Sequence, residues 1–562
     1  MEIPTVSDRY PAVEVQEYYD SGCWSTENFA EVLTRQADVM PDKTFVTDGT
    51  TGFTYAELRD LSARLAVGLR DRGVRAGDRV AVQLPNWAEF AMVTAAVARL
   101  GAITVPIMPI YRRDEAGHVL DDAEVSTVVT ASTFKGFDYL GMYRDLAASR
   151  PGVHTVVVVR DDAAEGGPVT PLTALLPDID PAEAAASLGR PVGPDDPYVI
   201  VYTSGTTARP KGCVHTFNTY AGGARCLNQA FAVTSADVGF SPSPITHTTG
   251  LVTGILMPLL AGGSTHVMAE WEPRRGLEEI ARYRCSITVT ATTFLQMALD
   301  VLDPAVHDAS SLRVWVSAGA PIPRSVVERA RTLLPSTRIL SLYGRSENLT
   351  TTTCTVADDP EKALISDGSA LPYAEVRVVD EAGVPVPAGQ EGDIAYRGPS
   401  HMLGYLGRPD ETAELYTADG LSRSGDLGRM DADGYVRVTG RTKDIVIRGG
   451  MNISVREIED LLAEHPGIRA SAVVGMPDVR LGERVCCYAV PVDPGSPPTL
   501  DSLKGYLLER GVAIQKTPER LELVTELPTT ATGKIQKHLL RQDIARKLEQ
   551  PVERVEASAA GR

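Results

Sequence analysis

Apolar positions along the first third of the chain switch between two periods. In FTYAELRDLSARLAVGLRDRG, Leu58, Leu61, Leu65 and Leu69 recur three and four residues apart, which predicts a helix with one buried face. Thr54 and Glu57 stand three apart at its start, where hydroxyl and carboxylate can close a capping box, and Gly73 marks its end. DRVAVQLPN then predicts a short strand, AEFAMVTAAVARLG a second helix and AITVPI a second strand. Strand, helix and strand in this order predict a parallel sheet covered by helices, so the fold class is α/β. Residues 161–197, rich in Pro, Ala, Gly and Asp, read as a surface excursion before the apolar strand YVIVY. No internal repeat interrupts the pattern.

The rhythm changes near residue 440. After the strand GYVRVTG, the segment GRTKDIVIRGG reads as a charged, glycine-ended connection. Beyond it come helix VREIEDLLAEH, strands ASAVVGM and RVCCYAVPV, helix LDSLKGYLLERG, strand RLELV and helix KHLLRQDIARKL. About 120 residues of this kind can form an independent small α+β domain. The tail from about Pro551, ending EASAAGR, reads as mobile.

Composition narrows the possible partners. The 562 residues, 43% of them hydrophobic, can bury more than one core. A balance of 55 Lys and Arg against 73 Asp and Glu leaves a formal charge of -18, which argues against nucleic acid as a partner. The seven cysteines show neither metal spacing nor a disulfide framework, which fits a reducing, cytoplasmic setting. The N-terminal residues lack a basic region followed by an apolar core, and no secretion signal is read there. The apolar stretch from Trp87 to Ile110 is broken by Glu89 and Arg99, and LVTGILMPLLAGG is too short to span a bilayer.

Candidate chemistry begins where YVIVY opens into TSGTTARPKG, with a helix predicted from about His215. Backbone N–H groups, the hydroxyls of Thr203, Ser204, Thr206 and Thr207, the turn at Gly205 and the ammonium of Lys211 would all stand at a strand end. α/β folds hold phosphates at such places. Taken alone, an ordinary polar turn reads the same way. The spacing is not that of a Walker loop, since six residues separate Gly205 from Gly212 and the lysine precedes the second glycine. No supported GxGxxG fingerprint points to a dinucleotide fold either.

Four further segments follow in order: SAGAP (317–321), YGRSE (343–347), SRSGDLGRMDADGYVRVTGRTKDIVIRGGMNISVREIE (422–459) and LPTTATGKIQK (527–537). Together with the loop at 202–212, and over nearly the whole chain, they resemble the adenylate-forming superfamily of acyl-CoA ligases, firefly-type luciferases and peptide-synthetase adenylation domains. The resemblance implies an N-terminal region, residues 1–440, of two α/β subdomains plus a small β-barrel, and a mobile α+β domain over 441–562.

The resemblance also implies roles. Gly319 and Ala320 would lie along adenine, with Tyr343 offering an aromatic face beside Gly344 and Ser346, the last standing where threonine is commoner. Glu347 would hold Mg²⁺ against ATP phosphate oxygens. Asp426 would accept the ribose hydroxyls and Arg441 would stand near ribose or the α-phosphate. Lys443 marks the hinge, and Gly449 with Gly450 the pantetheine channel. His247 flanks the acyl pocket, for which Phe294, Ala318 and Leu349 are further candidates. Lys534 would contact the reacting carboxylate and the α-phosphate, stabilising the charge of the transition state. The implied reaction joins a carboxylic acid to AMP with loss of pyrophosphate, then passes the acyl group to the thiol of coenzyme A.

The chain departs from the family pattern at several points. The usual loop is YTSGTTGxPKG, whereas Ala208 and Arg209 stand in this one. A left-handed backbone at that site would cost alanine about 1–2 kcal/mol, and the added atoms would crowd the β- and γ-phosphates. Two enzymes are therefore open: a complete acyl-CoA ligase, and a relative that only thioesterifies an acyl-AMP supplied by a separate adenylating enzyme. Lys537, Val455 and the segment ATTF (291–294) are smaller departures. HTTGL lacks the aspartate that an amino-acid adenylation domain would need for a substrate ammonium, which favours acids without an α-amino group. A luciferase-like oxygenase shares the motifs, and a silent adenylate-binding protein would be marked by loss of Lys534 or Glu347. Ala208→Gly is expected to raise acid-dependent pyrophosphate release; an unchanged rate would refute the steric argument.

Overall fold

The computed structural model describes residues 3–189, 192–203, 210–319, 322–530 and 535–549. The tail from Pro551 lies outside them. Contacts divide the chain into two units. The first runs to Val438 without residues 425–427, which group with the second, Thr439 onward.

The first unit contains two large sheets. In the eight-stranded sheet, Pro197–Tyr202, Ile103–Pro106, Arg79–Gln83, Thr127–Ala131, Thr155–Val159 and Val169–Pro171 lie in this order and run parallel. Strands such as TVVTA and TVVVV are buried at every position, as both faces of a parallel sheet under helices require. The helix Tyr55–Asp71 starts at the predicted capping box: Thr54 Oγ1 accepts from the Glu57 N–H at 3.1 Å, and Glu57 Oε2 accepts from the Thr54 N–H at 2.8 Å. The helix Glu89–Arg99 is buried throughout, and its two interrupting charges are satisfied internally. Arg160 Nε donates to Glu89 at 2.7 Å, and Arg99 Nε donates to Ser62 Oγ at 3.1 Å. Among the described residues no helix is long and apolar enough to cross a membrane.

The nine-stranded sheet carries Arg338–Tyr343, Val314–Ala318, Ile287–Ala291, Val238–Ser241, Ser264–Val267 and Thr44–Thr47 as parallel neighbours. Their register aligns the carboxyl ends, with Ala291 opposite Ala318 and Ala318 opposite Leu342. A four-stranded sheet, Glu375–Val379, Glu391–Arg397, Ser422–Met430 and Val436–Arg441, occupies the place expected of the small barrel.

Three expectations need correction. Residues 212–216 form a strand antiparallel to Pro197–Tyr202, and the helix begins only at Phe217, after a capping box on Thr216 and Thr219. Gly212, Cys213, Val214, His215 and Thr216 are all buried, so the segment is a strand covered on both sides. The excursion at 161–197 contributes the edge strand Val169–Pro171 and the helix Pro181–Ser187, anchored by buried Leu172, Leu175 and Ala184. The connection after Arg441 is a hairpin of Val446–Arg448 with Met451–Ile453. Gly449 and Gly450 form its turn with φ of +57° and +83°, the backbone that a two-residue hairpin demands of both central residues.

In the second unit the sheet's two faces bury different residues. Val473, Val485 and Cys487 pack with Ile458, Leu462, Leu503 and Leu507 of the helices Val455–Leu462 and Leu500–Glu509. Val474, Cys486 and Tyr488 pack with Leu540 and Ile544 of the helix Lys537–Glu549. All seven cysteines are buried and unbridged.

One contact exposes how tightly the first unit is packed. A Cβ on Gly68, in the helix Tyr55–Asp71, would lie 2.0 Å from the Leu175 carbonyl oxygen. Gly68→Ala is expected to destabilise the protein by about 1–3 kcal/mol, read as a lower urea midpoint at unchanged slope.

Candidate active site

Three loops and the helix Thr292–Val301 leave the aligned carboxyl ends of the nine-stranded sheet, the position at which open α/β sheets bind ligands. They carry His247 after Ser241, Phe294 after Ala291, Gly319 after Ala318, and Tyr343 to Glu347 at the end of the next strand. Gly319 has φ of +82°, a left-handed turn that glycine adopts without strain. A Cβ on Gly344 would lie 2.1 Å from the Leu349 carbonyl oxygen, so only glycine fits between Tyr343 and Arg345.

Glu347 is the electrostatic centre of this region. Its carboxylate is buried, accepts from the Tyr405 hydroxyl at 2.8 Å, and lies 3.2 Å from Arg345 Nη2. Burial would raise its carboxyl, but the Arg345 guanidinium and the Tyr405 hydroxyl outweigh it and hold the group at about 2. It is therefore an anion across the physiological range. The peptides on both sides of Glu347 are fixed as well: His215 Nε2–H donates to the Ser346 carbonyl at 2.8 Å, and the Met402 N–H donates to the Glu347 carbonyl at 2.8 Å. Burial pushes the His215 imidazole down to about 4, so the ring is neutral at physiological pH.

Lys211 reaches the same tyrosine at its ring. Gly404–Tyr405 pairs with Gly212–Thr216 at the edge of the eight-stranded sheet, which sets Tyr405 beside the start of that strand. The Lys211 ammonium lies 4.9 Å from the Tyr405 ring centroid and pairs with Glu411. At the base of the glycine- and hydroxyl-rich loop, the Thr203 N–H donates to the Lys211 carbonyl at 3.0 Å, and the Lys211 N–H donates to Thr203 Oγ1 at 3.3 Å. Ser204, Gly205, Thr206, Thr207, Ala208 and Arg209 lie outside the described residues, as do Ala320 and Lys534.

The acyl-pocket candidates separate into two packing groups. Ala318 and Leu349 belong to the large core of the first unit, whereas Phe294 packs in a smaller cluster with its ring 5.2 Å from Trp271. His247 is half-buried and its Nδ1 accepts from the Thr249 N–H at 3.3 Å, capping a short helix that continues as the π-helical turn Leu251–Leu256. Widened turns of this kind recur at functional sites.

In the second unit, Arg441 Nε donates to buried Asp426 at 2.9 Å, and Lys443 lies in the turn Thr442–Asp444. Lys537 pairs with Glu459 at 2.9 Å. Val455, where the family often has proline, opens its helix at a position that tolerates proline.

Residues 33–406 match the model of the AMP-binding enzyme family, and residues 457–534 match that of the AMP-binding enzyme C-terminal domain. The chain belongs to the AMP-binding enzyme family. It is 34% identical to the medium-chain fatty-acid–CoA ligase of Escherichia coli (strain K12) over 95% of this chain and 94% of that one. It is 33% identical to the salicyl-AMP ligase / salicyl-S-ArCP synthetase of Mycobacterium tuberculosis, over 94% and 93% of the two chains. Among solved structures, the anthranilate CoA ligase AuaEII in complex with anthranoyl-AMP superposes with a TM-score of 0.84 at 25% identity, covering 93% of this chain and 98% of that one. This AMP-binding enzyme is thus an ATP-dependent, adenylate-forming acid–thiol ligase.

Tyr405, Arg345, His215 and Glu411 were not singled out from the sequence. Arg345 stands inside the YGRSE segment, two residues from Glu347, and could have been found there; nothing local marks the other three. Because the folded-state pKa of Glu347 is depressed, its contribution to stability is complete above about pH 4.5 and is lost as pH falls toward about 2. The stability difference between the wild type and Glu347→Gln, followed by urea titration, is expected to shrink across that window by on the order of 3 kcal/mol.

Proposed function

We propose that this AMP-binding enzyme is a complete acyl-CoA ligase, which converts a carboxylic acid and ATP to an acyl-adenylate and transfers the acyl group to coenzyme A. One observation carries the reading: an ionised, buried carboxylate and an ammonium both engage Tyr405, the first at its hydroxyl and the second over its ring. That pairing suits a metal-bound polyphosphate, and an enzyme that received its adenylate ready-made would have no use for it.

In this reading Lys211 takes the outgoing phosphates, together with the N–H groups and hydroxyls of Thr203 to Thr207. Among the described residues no three metal-ligating side chains cluster. A single carboxylate nevertheless fits Mg²⁺, which takes the rest of its coordination from phosphate oxygens and water. Glu347 would hold it, and once bound the ion would neutralise phosphate charge. Gly319, Ala320, Tyr343, Gly344 and Ser346 would frame the adenine, and Asp426 with Arg441 the ribose. His247, Phe294, Ala318 and Leu349 would face the acid, whose small or apolar surroundings suit a fatty, aromatic or alicyclic acid without an α-amino group.

Lys534 would stabilise the charge that develops as the carboxylate attacks the α-phosphate. The C-terminal unit would then exchange Lys534 for Gly449 and Gly450, about the hinge at Lys443, and the CoA thiol would displace AMP. Gly449 and Gly450, exposed at a hairpin tip, leave room for a pantetheine arm. The similarity to a named fatty-acid–CoA ligase supports CoA as acceptor, and the similarity to a salicyl-S-ArCP synthetase makes a carrier protein the rival. Ala208 and Arg209 favour the second reading, thioesterification of an adenylate made by a partner.

The test gives the enzyme ATP and a panel of fatty and aromatic acids in one arm, and synthetic acyl-AMP in another, with CoA or a holo carrier protein as acceptor. Acid-dependent pyrophosphate release with acyl-CoA formation is expected. Lys534→Ala is expected to lose adenylation by about 10²-fold or more while keeping thioester formation from acyl-AMP. Turnover from acyl-AMP alone would overturn the complete-ligase reading, and acylation of the carrier protein but not of CoA would overturn the acceptor.

A further inference from the structure

The ammonium of Lys211 is already engaged, and its partner lies outside the motif segments quoted above. Glu411 projects from the short helix Pro409–Ala413, six residues after Tyr405, and pairs with Lys211. It has a second partner, since Arg408 Nη1 stands 3.4 Å from Glu411 Oε1. Arg408 is held in turn: its Nη2 lies 3.2 Å from Asp122, which also accepts from the Tyr202 hydroxyl at 2.7 Å. A line of polar contacts therefore runs from Tyr202, at the strand end before the loop, through Asp122, Arg408 and Glu411 to Lys211 at its close.

We propose that Glu411 is a positioning residue that competes with the triphosphate of ATP for Lys211, releasing the ammonium through an exchange of ion-pair partners. The inference rests on the phosphate role proposed above for Lys211. Two features make the exchange easy. Glu411 keeps Arg408 when Lys211 leaves, so its carboxylate is not stranded. The Lys211 and Glu411 side chains are also 29% and 40% exposed, and a pair so well solvated is weak. A polyphosphate carries more charge than one carboxylate and wins the ammonium. Until it does, Glu411 opposes ATP twice, by occupying Lys211 and by placing a negative charge beside it. AMP, which lacks the β- and γ-phosphates, has no claim on Lys211 and should be indifferent to Glu411.

The test measures the Kd of MgATP and of AMP by titration calorimetry on the full chain, for the wild type, Glu411→Gln, Lys211→Ala and the double variant. Glu411→Gln is expected to tighten MgATP by about two- to fivefold, the range of a solvated ion pair, and to leave AMP unchanged. In the Lys211→Ala background the gain from Glu411→Gln is expected to shrink, because the competition has lost its object. Unchanged MgATP affinity in Glu411→Gln, alongside weakened MgATP binding in Lys211→Ala, would overturn the exchange while leaving the phosphate role standing. Unchanged MgATP affinity in Lys211→Ala would overturn the phosphate role itself. Equal shifts for MgATP and AMP would mark a general disturbance of the site and would also overturn the exchange.

Discussion

A carboxylate withdrawn from water must be matched by charge and hydrogen bonds, and around Glu347 that requirement organises the first unit. Arg345 supplies the charge and Tyr405 the hydrogen bond. The two come from different places: Arg345 from the loop of one sheet, Tyr405 from the edge strand of the other. Satisfying a single anion therefore ties the two sheets together where their functional loops meet. His215 and Met402 strengthen the tie through the Ser346 and Glu347 carbonyls, so the loop is held by its backbone as well as by its charge.

The site is consequently stiff where charge must be aimed and adaptable where partners must change. Glu347 is enclosed and its acidity is set by fixed neighbours. Lys211, over the ring of the same tyrosine, is partly solvated and pairs with a carboxylate that has another cation to hand. A rigid anion beside an exchangeable cation is a sensible arrangement for a substrate that arrives as a polyphosphate and departs as its fragments.

Much of this was legible from spacing alone. Leu58, Leu65 and Leu69 are buried on the helix their period predicted, the Thr54–Glu57 box caps it, and the elements after residue 454 lie where the pattern put them. The errors share a cause. A helix was expected from about His215 because strand, loop and helix is the usual order in α/β folds, and only tertiary burial shows that residues 212–216 turn back as a strand. The hairpin around Gly449 and Gly450 was hidden because its apolar residues stand on both faces: paired Val446 and Ile453 are buried while Ile447 and Met451 are exposed, so no alternation betrays it. In the site, the family-like motifs marked residues that stand at strand ends. Tyr405 and Glu411 carried no signal, because their importance comes from pairing with Glu347 and Lys211, far from them along the chain.

The two hydrogen bonds between Thr203 and Lys211 have an evolutionary meaning. They close the loop at its neck, in continuation of the strand pair Tyr202 and Gly212, so the sheet is complete before the loop's own residues are considered. The register of that strand pair is set by Pro197–Tyr202 and Gly212–Thr216 themselves. Selection can thus retune how such a loop treats phosphate, or abandon phosphate altogether, without first having to rescue a destabilised core. Ala208 and Arg209 stand in the sequence between the two paired strands, where a change in chemistry is cheapest to try.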